Sequence, residues 1–208
     1  MPVVDAAAAL IPIKAFHEAK ARLRHALEPE QRHRLARWTA EQVIGAAAGL
    51  QVVVVCDDET VAHWAAERGA TVLWQAGKGL NSAVDDAVLA LADLGCEHVV
   101  VAHADLPRPT LLRNVALPGG ISLVPDRRDD GTNVMSFPTR SGMQASYGGG
   151  SFRRHLAAAM LLGIPVEVRR DPMLALDIDT PADLIHPLVK DVLPPWLPTN
   201  RGNPTPPS

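Results

Sequence analysis

Short apolar runs rich in valine and isoleucine alternate along the chain with longer stretches in which apolar residues recur every three or four positions. The runs predict buried strands, and the recurring spacing predicts helices with one buried face. The alternation begins with a strand over 7–13 and ends with a helix over 180–189. Such strand–helix alternation is typical of a mainly parallel sheet covered by helices on both faces. We therefore predict a three-layer α/β/α fold.

The elements between these two follow the same pattern. Strands are expected at 51–55, 71–74, 98–102, 121–124, 133–137 and 166–169. Helices are expected at 29–48, 60–68, 81–94 and 151–162. The length of 208 residues suits one domain with a sizeable core, which we place at 1–193. The remaining segment, 194–208, is rich in proline and is expected to be a disordered tail.

The charge, the hydropathy and the cysteine content argue against several classes of protein. The formal net charge of -3 argues against a general nucleic-acid binder, which normally has a basic face. The sequence contains neither an apolar stretch long enough to span a bilayer nor a secretory signal pattern. Cys56 and Cys96 adjoin apolar runs and are expected to be buried free thiols. We therefore expect a cytoplasmic protein without nucleic-acid or membrane partners.

Acidic residues follow two apolar runs that are far apart in sequence. Asp105 comes just after the strand at 98–102, and Asp177 and Asp179 follow the apolar run at 174–176. Carboxylates at the ends of neighbouring buried strands can share a divalent cation, and oxygen ligands suit Mg²⁺. Asp177 and Asp179 alternate along an extended segment, so both point to the same side. These three residues are the predicted metal ligands of an enzyme that handles phosphates.

Basic residues follow the first strand. In a nucleotide-binding sheet the loop after the first strand is where phosphates lie. This loop has no glycine, so it is neither a P-loop nor a dinucleotide fingerprint. If it binds phosphate, it does so through Lys14, Lys20 and Arg22. Ammonium groups suit phosphate, and the chain has few lysines in all.

A glycine-containing loop at 77–83 precedes the helix expected at 81–94. Its two glycines allow a ligand to approach the backbone closely. On these residues alone, a turn whose Asn81 or Ser82 caps the helix is the simpler interpretation. The functional interpretation is a loop facing a base or sugar, with Gly79 and Asn81 as nucleotide-binding residues.

A polar loop at 126–133 and a glycine run at 147–150 lie on either side of the sixth predicted strand. The glycine run opens a helix, and free backbone N–H groups at a helix start attract anions. Thr132 and Ser151 could supply hydroxyl groups, and Gly148 a backbone N–H, to a small phosphorylated acid.

Simpler explanations stay open for most of these residues. Asp105 could cap a turn, and Asp179 could be the N-cap of the last helix. The lysines and the arginine could form a solvated basic surface, and each glycine loop could be an ordinary turn. His103 is expected to pack or make a structural hydrogen bond, and His155 to lie on a solvated helix face or beside the acceptor.

Taken together and in order, the motifs resemble the 2-phospho-L-lactate / phosphoenolpyruvate guanylyltransferases of coenzyme F-420 biosynthesis, over about residues 9 to 189. The segments that carry the resemblance are Ile11-Pro12-Ile13-Lys14, Ala19-Lys20-Ala21-Arg22-Leu23, Gly79-Leu80-Asn81, Asp105-Leu106-Pro107, Pro125-Asp126-Arg127, Gly131-Thr132-Asn133, Tyr147-Gly148-Gly149-Gly150-Ser151-Phe152 and Asp177-Ile178-Asp179-Thr180-Pro181.

The resemblance implies a nucleotidyltransferase fold that uses GTP and Mg²⁺. Asp105, Asp177 and Asp179 would hold the metal, and Lys14 and Lys20 would contact the triphosphate. The expected catalytic residues are thus Asp105, Lys14 and Lys20. The acceptor would be bound by Thr132, Gly148 and Ser151.

The resemblance is weakest beside the expected acceptor site. Residues 141–146 lack the aromatic and basic residues expected before the Tyr-Gly segment, and Gly149 stands where proline is common. The acceptor is therefore the least determined feature: phosphoenolpyruvate is favoured, and 2-phospho-L-lactate and 3-phospho-D-glycerate are the alternatives. Another nucleotidyltransferase of the same fold and a non-catalytic nucleotide-binding protein are the rival interpretations. The sequence leaves the oligomeric state open, a homodimer included.

Overall fold

The computed structural model describes residues 6–197. Within this part of the chain, seven strands form one sheet. The strands are β1 (Ala7–Pro12), β2 (Gln51–Cys56), β3 (Thr71–Trp74), β4 (His98–Ala102), β5 (Ile121–Pro125), β6 (Thr132–Pro138) and β7 (Val166–Val168). The predicted α/β class is confirmed, and each predicted strand is present to within one residue at either end.

The order of strands across the sheet is β3-β2-β1-β4-β6-β5-β7. Every pair is parallel except those of β6, which runs antiparallel to β4 and β5. After β1 the chain moves outward through β2 and β3, and then returns to place β4 on the other side of β1. The carboxyl ends of β1 and β4 therefore form the topological switch point, where open α/β sheets bind ligands.

Helices cover both faces of the sheet. They are α1 (Pro29–Ala46), α2 (Glu59–Glu67), α3 (Gly79–Asp93), α4 (Ser151–Leu161), α5 (Pro181–Leu184) and α6 (Pro187–Lys190). On one face α1 and α2 bury side chains such as Val43 and Trp64, and on the other α3 and α4 bury Val84 and Phe152. The inner strands contact both layers, which explains why they are continuous apolar runs and do not alternate with polar residues.

The single final helix predicted over 180–189 is wrong. Two short helices, α5 and α6, stand in its place. Pro187 lacks a backbone N–H and disfavours helical geometry in His186, so a helix cannot run through this point. His186 instead has extended dihedral angles and precedes α6 as its N-cap.

The first residues of the predicted tail are packed against the domain. Leu197 is buried with Leu23 and Leu35, and the Arg34 guanidinium lies 4.2 Å from the ring centroid of Trp196. The ordered structure therefore extends beyond residue 193. The rest of the predicted tail, 198–208, lies outside the described residues.

Among residues 6–197 no helix is both long enough and apolar enough to cross a membrane.

Candidate active site

A cleft of about 290 Å³ lies at the switch point, over the carboxyl ends of β1, β2 and β4. The first turn of α3 closes one side of it, and the segment after β1 closes the other. Its lining residues include Lys14, Phe16, Lys20, Thr39, Asp57, Gln75, Gly79, Leu80, His103, Asp105 and Asp179. The cleft therefore combines apolar walls with charged groups, as ligand sites in proteins commonly do.

The three predicted metal ligands come together at this cleft. Asp105 follows β4, and Asp177 and Asp179 lie in the extended segment before α5. One carboxylate oxygen from each residue lies within 4.8 Å of the other two. The backbone N–H of Ile178 donates to the carbonyl oxygen of Asp105 at 3.2 Å, which ties the two segments together. This acidic cluster (Asp105, Asp177 and Asp179) confirms the prediction that the residues are neighbours.

Lys20 lies against the acidic cluster, and its side chain is only 6% exposed. Its ammonium Nζ donates to Ile178 O at 2.6 Å and to Asp105 Oδ2 at 3.2 Å, and lies 3.6 Å from Asp179 Oδ1. Its φ is 59°, in the left-handed region that costs energy for a residue with a side chain. The fold thus accepts backbone strain to place one buried cation beside the cluster.

The two most buried carboxylates of the cluster respond oppositely to their surroundings. Burial alone would raise the pKa of Asp105, but Lys20 and His103 outweigh this and hold it below its usual range. Burial, followed by the charges of Asp105 and Asp179, raises the pKa of Asp177 to about 7. The single positive charge of Lys20 therefore does not neutralise the three carboxylates. The negative charge that is left favours the binding of a further cation.

A buried oxygen gives a second reason to place a metal here. Asp105 Oδ1 is inaccessible to solvent and accepts no hydrogen bond from any residue between 6 and 197. A charged oxygen without a partner is costly to bury, so native structures rarely leave one. Oxygen ligands from three carboxylates suit a hard divalent ion. The residues present therefore fit a metal ion.

Asp183 holds the segment that carries Asp177 and Asp179, a role that sequence reasoning did not assign. It is buried in α5, and its Oδ2 accepts hydrogen bonds from the backbone N–H groups of Asp179 and Thr180, at 3.0 and 2.6 Å, and from the Thr180 hydroxyl. Its other oxygen pairs with Arg127. Burial opposes ionisation, but these donors hold the pKa of Asp183 below its usual range.

We expect Asp183→Asn to lower the free energy of unfolding by about 2 kcal/mol, because a cap and a buried ion pair are lost together. Binding of Mn²⁺ should weaken as well, since Asp177 and Asp179 lose their anchor. Urea denaturation and calorimetry measure the two effects. Asp191→Asn, at an exposed position just after α6, is the matched control. An unchanged denaturation midpoint for Asp183→Asn would contradict this role.

The predicted nucleotide-binding residues do not all lie in the cleft. Lys14 and Gly79 line the cleft and are exposed. Arg22 is 74% exposed and lies 3.4 Å from Asp179 Oδ2, at the edge of the acidic cluster. Asn81 is absent from the cleft wall: its amide exchanges two hydrogen bonds with the backbone of Tyr147, at 2.7 and 3.3 Å. Asn81 therefore joins α3 to the 144–150 segment.

The predicted acceptor residues lie together at the start of α4. The backbone N–H of Thr132 donates to Ser151 Oγ at 3.1 Å, and the backbone N–H of Ser151 donates to Gly148 O at 3.0 Å. Thr132 and Ser151 are almost completely buried and are absent from the cleft wall. Their role in binding an acceptor stays a prediction.

His155 is buried and positions Thr132, so the expectation of a solvated helix face is wrong. The backbone N–H of Ser146 donates to His155 Nε2 at 2.8 Å, so Nε2 carries no proton. The proton is therefore on Nδ1, which lies 2.9 Å from Thr132 Oγ1 and donates to it. Burial, with Arg154 and His103 nearby, lowers the pKa of His155 to about 4.

This pKa predicts that the protein loses stability in mild acid. Between pH 6.5 and pH 4 the unfolded chain binds a proton at His155 and the folded chain does not, so the free energy of unfolding falls as pH falls. The expected loss from this group between pH 7 and pH 5 is at most about 2 kcal/mol. Urea denaturation at both pH values measures it. His155→Gln should have a smaller pH dependence, and equal slopes in both proteins would contradict the assignment.

Comparison with known proteins shows the family to which the chain belongs. The family model described as guanylyl transferase CofC like matches residues 7–190. The chain belongs to this family. It is 36% identical to a phosphoenolpyruvate guanylyltransferase from Sphaerobacter thermophilus, over 85% of this chain and 89% of the relative. It is 27% identical to a 2-phospho-L-lactate guanylyltransferase from Methanocaldococcus jannaschii, over 84% of this chain and 79% of the relative.

Solved structures agree with the fold of this CofC-like guanylyl transferase. A nucleotidyl transferase from Methanothermobacter superposes with a TM-score of 0.65 at 16% identity, covering 87% of this chain and 95% of its own. A 4-diphosphocytidyl-2C-methyl-D-erythritol synthase from Anaerococcus prevotii superposes with a TM-score of 0.56 at 12% identity, over 88% and 95%. The chain is an enzyme of the nucleotidyltransferase class.

Proposed function

We propose that this protein transfers GMP from GTP to a small phosphorylated carboxylic acid and releases pyrophosphate, in the cytoplasm and within coenzyme F-420 biosynthesis. The observation that carries the proposal is the acidic cluster with the buried Lys20 at the switch-point cleft. The relatives named as guanylyltransferases support the donor. Phosphoenolpyruvate is the favoured acceptor, because the relative at 36% identity is named for it.

The main obstacle to the reaction is the negative charge of the two substrates, and proton transfer is less important. A phosphate oxygen of the acceptor attacks the α-phosphorus of GTP, the bond to the bridging oxygen breaks, and pyrophosphate leaves with the bonding electrons. The attacking oxygen is already anionic at neutral pH, so no strong general base is required. The residues must instead bring two polyanions together and stabilise the charge that moves onto the leaving group.

The proposed roles follow from where the charged residues lie. Asp105, Asp177 and Asp179 would hold Mg²⁺, which when bound supplies charge neutralisation to the reacting phosphates. Lys14 is exposed in the cleft and would contact the triphosphate. Lys20 would donate to the triphosphate from beside the cluster.

The acceptor is proposed to bind on the other side of β4, at the start of α4. Thr132, Gly148 and Ser151 lie together there, next to three consecutive glycines. Gly148 has a φ of 118°, a conformation that residues with side chains rarely adopt, which explains why glycine is favoured here. Thr132 and Ser151 are almost completely buried, and the backbone N–H of Thr132 donates to Ser151 Oγ.

Pyrophosphate release with GTP and Mg²⁺ tests the function directly. Phosphoenolpyruvate, 2-phospho-L-lactate, 3-phospho-D-glycerate and no acceptor should be compared in parallel. We expect release that depends on an acceptor and is fastest with phosphoenolpyruvate. Replacing GTP with ATP, CTP or UTP should abolish it, and equal release with CTP would instead identify another nucleotidyltransferase of this fold. Absence of release with every acceptor would contradict the proposal.

A further inference from the structure

Two side chains at the carboxyl edge of the sheet present buried polar atoms that bond to nothing between residues 6 and 197. They are His103 Nε2 and Tyr147 Oη, and Asp105 Oδ1 is a third such atom at the same edge. Burying polar atoms without partners is unfavourable, so a group of them calls for a ligand or another explanation. A metal ion would be the missing partner of Asp105 Oδ1. It would not explain why His103 Nε2 and Tyr147 Oη lack partners.

His103 and Tyr147 are packed together beside the cleft. His103 directly follows β4, and its backbone N–H donates to Asn133 O at 3.0 Å, which fixes its position. His103 is one of the residues that line the cleft and Tyr147 is not, and the ring centroids of the two residues lie 4.7 Å apart. Tyr147 is 8% exposed, and Asn81 holds its backbone against α3. Both rings are therefore well positioned before any ligand binds.

The other side of Tyr147 faces the predicted acceptor residues. Its ring centroid lies 5.0 Å from that of His155, whose Nδ1 donates to Thr132. His103 and Tyr147 thus lie between the acidic cluster and the group formed by Thr132 and Ser151. An acceptor that binds between the acidic cluster and Thr132, as proposed above, would therefore lie next to these two rings.

The chemistry of both groups suits a carboxylate. Burial, with the charge of Asp85 nearby, raises the pKa of Tyr147, so its hydroxyl keeps its proton and can donate. The imidazole of His103 donates from Nε2 in one of its two neutral tautomers, whereas a carboxylate can only accept.

We propose that His103 Nε2 and Tyr147 Oη donate hydrogen bonds to the carboxylate of the acceptor, and so select a phosphorylated acid over a phosphate ester without a carboxylate. This inference rests on the proposed function. It assigns the two residues a role in specificity, since neither exchanges a proton or bonds to the reacting phosphorus.

Tyr147→Phe tests the proposal because it removes a single oxygen atom that has no protein partner. We expect the KM for phosphoenolpyruvate to rise about tenfold or more, as for a lost hydrogen bond to a charged group. The KM for GTP should stay within about twofold, and the melting temperature should not fall. Ethyl phosphate, which lacks the carboxylate, should show no such loss. A purely structural role would instead lower the melting temperature and leave the preference for phosphoenolpyruvate unchanged.

Ser122→Ala is the matched control, because Ser122 Oγ is also buried and bonds to nothing in the described chain, but it lies in β5, which β6 separates from β4 and His103. It should leave the KM for phosphoenolpyruvate unchanged. His103→Phe keeps an aromatic ring but removes both ring nitrogens. It should raise the KM for phosphoenolpyruvate as Tyr147→Phe does. This second variant decides the question if Tyr147→Phe does not fold.

Calorimetry with phosphoenolpyruvate separates the failure of this inference from the failure of the proposed function. If the wild-type protein binds phosphoenolpyruvate without turnover, the transfer reaction is wrong, and the ratio of Kd values between wild type and Tyr147→Phe still tests the two residues. If the wild type turns over and both variants match it in acceptor KM, only the inference is overturned. If the wild type neither binds nor turns over, both are overturned.

Discussion

Replacing Asp105 with asparagine is expected to slow pyrophosphate release by about 10²–10³-fold while the protein stays folded. The carboxylate follows the central strand β4 and is the only member of the acidic cluster with a buried oxygen that has no partner in the described chain. Asparagine has nearly the same shape but no charge, so a metal ion would lose its most enclosed ligand. Initial rates with GTP, Mg²⁺ and phosphoenolpyruvate measure the loss.

Asp177→Asn is the informative companion to this variant. It should lose activity to a similar degree, because it also removes a metal ligand. Without metal, however, it should be more resistant to urea than the wild type, since burial and the neighbouring charges destabilise its ionised carboxylate. The control is Asp93→Asn, which changes an exposed carboxylate at the end of α3 and should alter neither the activity nor the resistance to urea.

For the first variant, turnover of Asp105→Asn within about tenfold of the wild type would contradict the proposed site.

Replacing Lys20 with methionine is expected to reduce both stability and activity. Without metal, the loss of the ammonium leaves three carboxylates together with no buried counter-charge. Removing one partner of a buried pair costs about 3–5 kcal/mol. Asp105 and Asp179 are partly exposed, so we expect about 2 kcal/mol in EDTA. Activity should fall by about 10²-fold, because the contact proposed between Lys20 and the triphosphate would be lost.

Addition of Mg²⁺ should restore much of the lost stability of Lys20→Met, because the ion supplies the missing positive charge. Arg22→Met is the matched control: it removes a cation that also contacts Asp179 but is 74% exposed. Exposed pairs contribute about 0–1 kcal/mol, so this variant should denature nearly as the wild type does. Equal destabilisation by the two substitutions, or no recovery of Lys20→Met with Mg²⁺, would contradict the role of Lys20.

The strands and the position of Asp105 were predictable from sequence for a physical reason, whereas Asp177 and Asp179 follow an irregular segment and not the buried strand that was expected. Strands such as β1 and β4 are buried on both faces, so their apolar runs are long and unbroken. A parallel strand brings the residue after it to the same edge of the sheet as its neighbours. Asp105 could therefore be placed at that edge before any coordinates were known.

Other features depend on contacts between distant residues, which local patterns do not reveal. Asn81 pairs with Tyr147, 66 residues away, and the sequence gives no sign that its amide is used in this way. His155 lies on a helix whose sequence pattern is compatible with either burial or exposure of this side chain. It is buried because residues 146 and 147 pack against it. The break between α5 and α6, by contrast, could have been predicted from Pro187 alone.

The contacts of Lys20 also have a consequence for the order of folding. The residues that meet at the cluster are 85 and 158 positions apart in the chain. Contacts of such long range form late, because the loops between them must close first. A growing chain that has emerged only as far as β6 already contains Lys20 and Asp105, yet it has no Asp177 or Asp179. Competence to capture a divalent ion is therefore gained only after the segment that follows β7 has been synthesised and has bonded to Asp105 through Ile178.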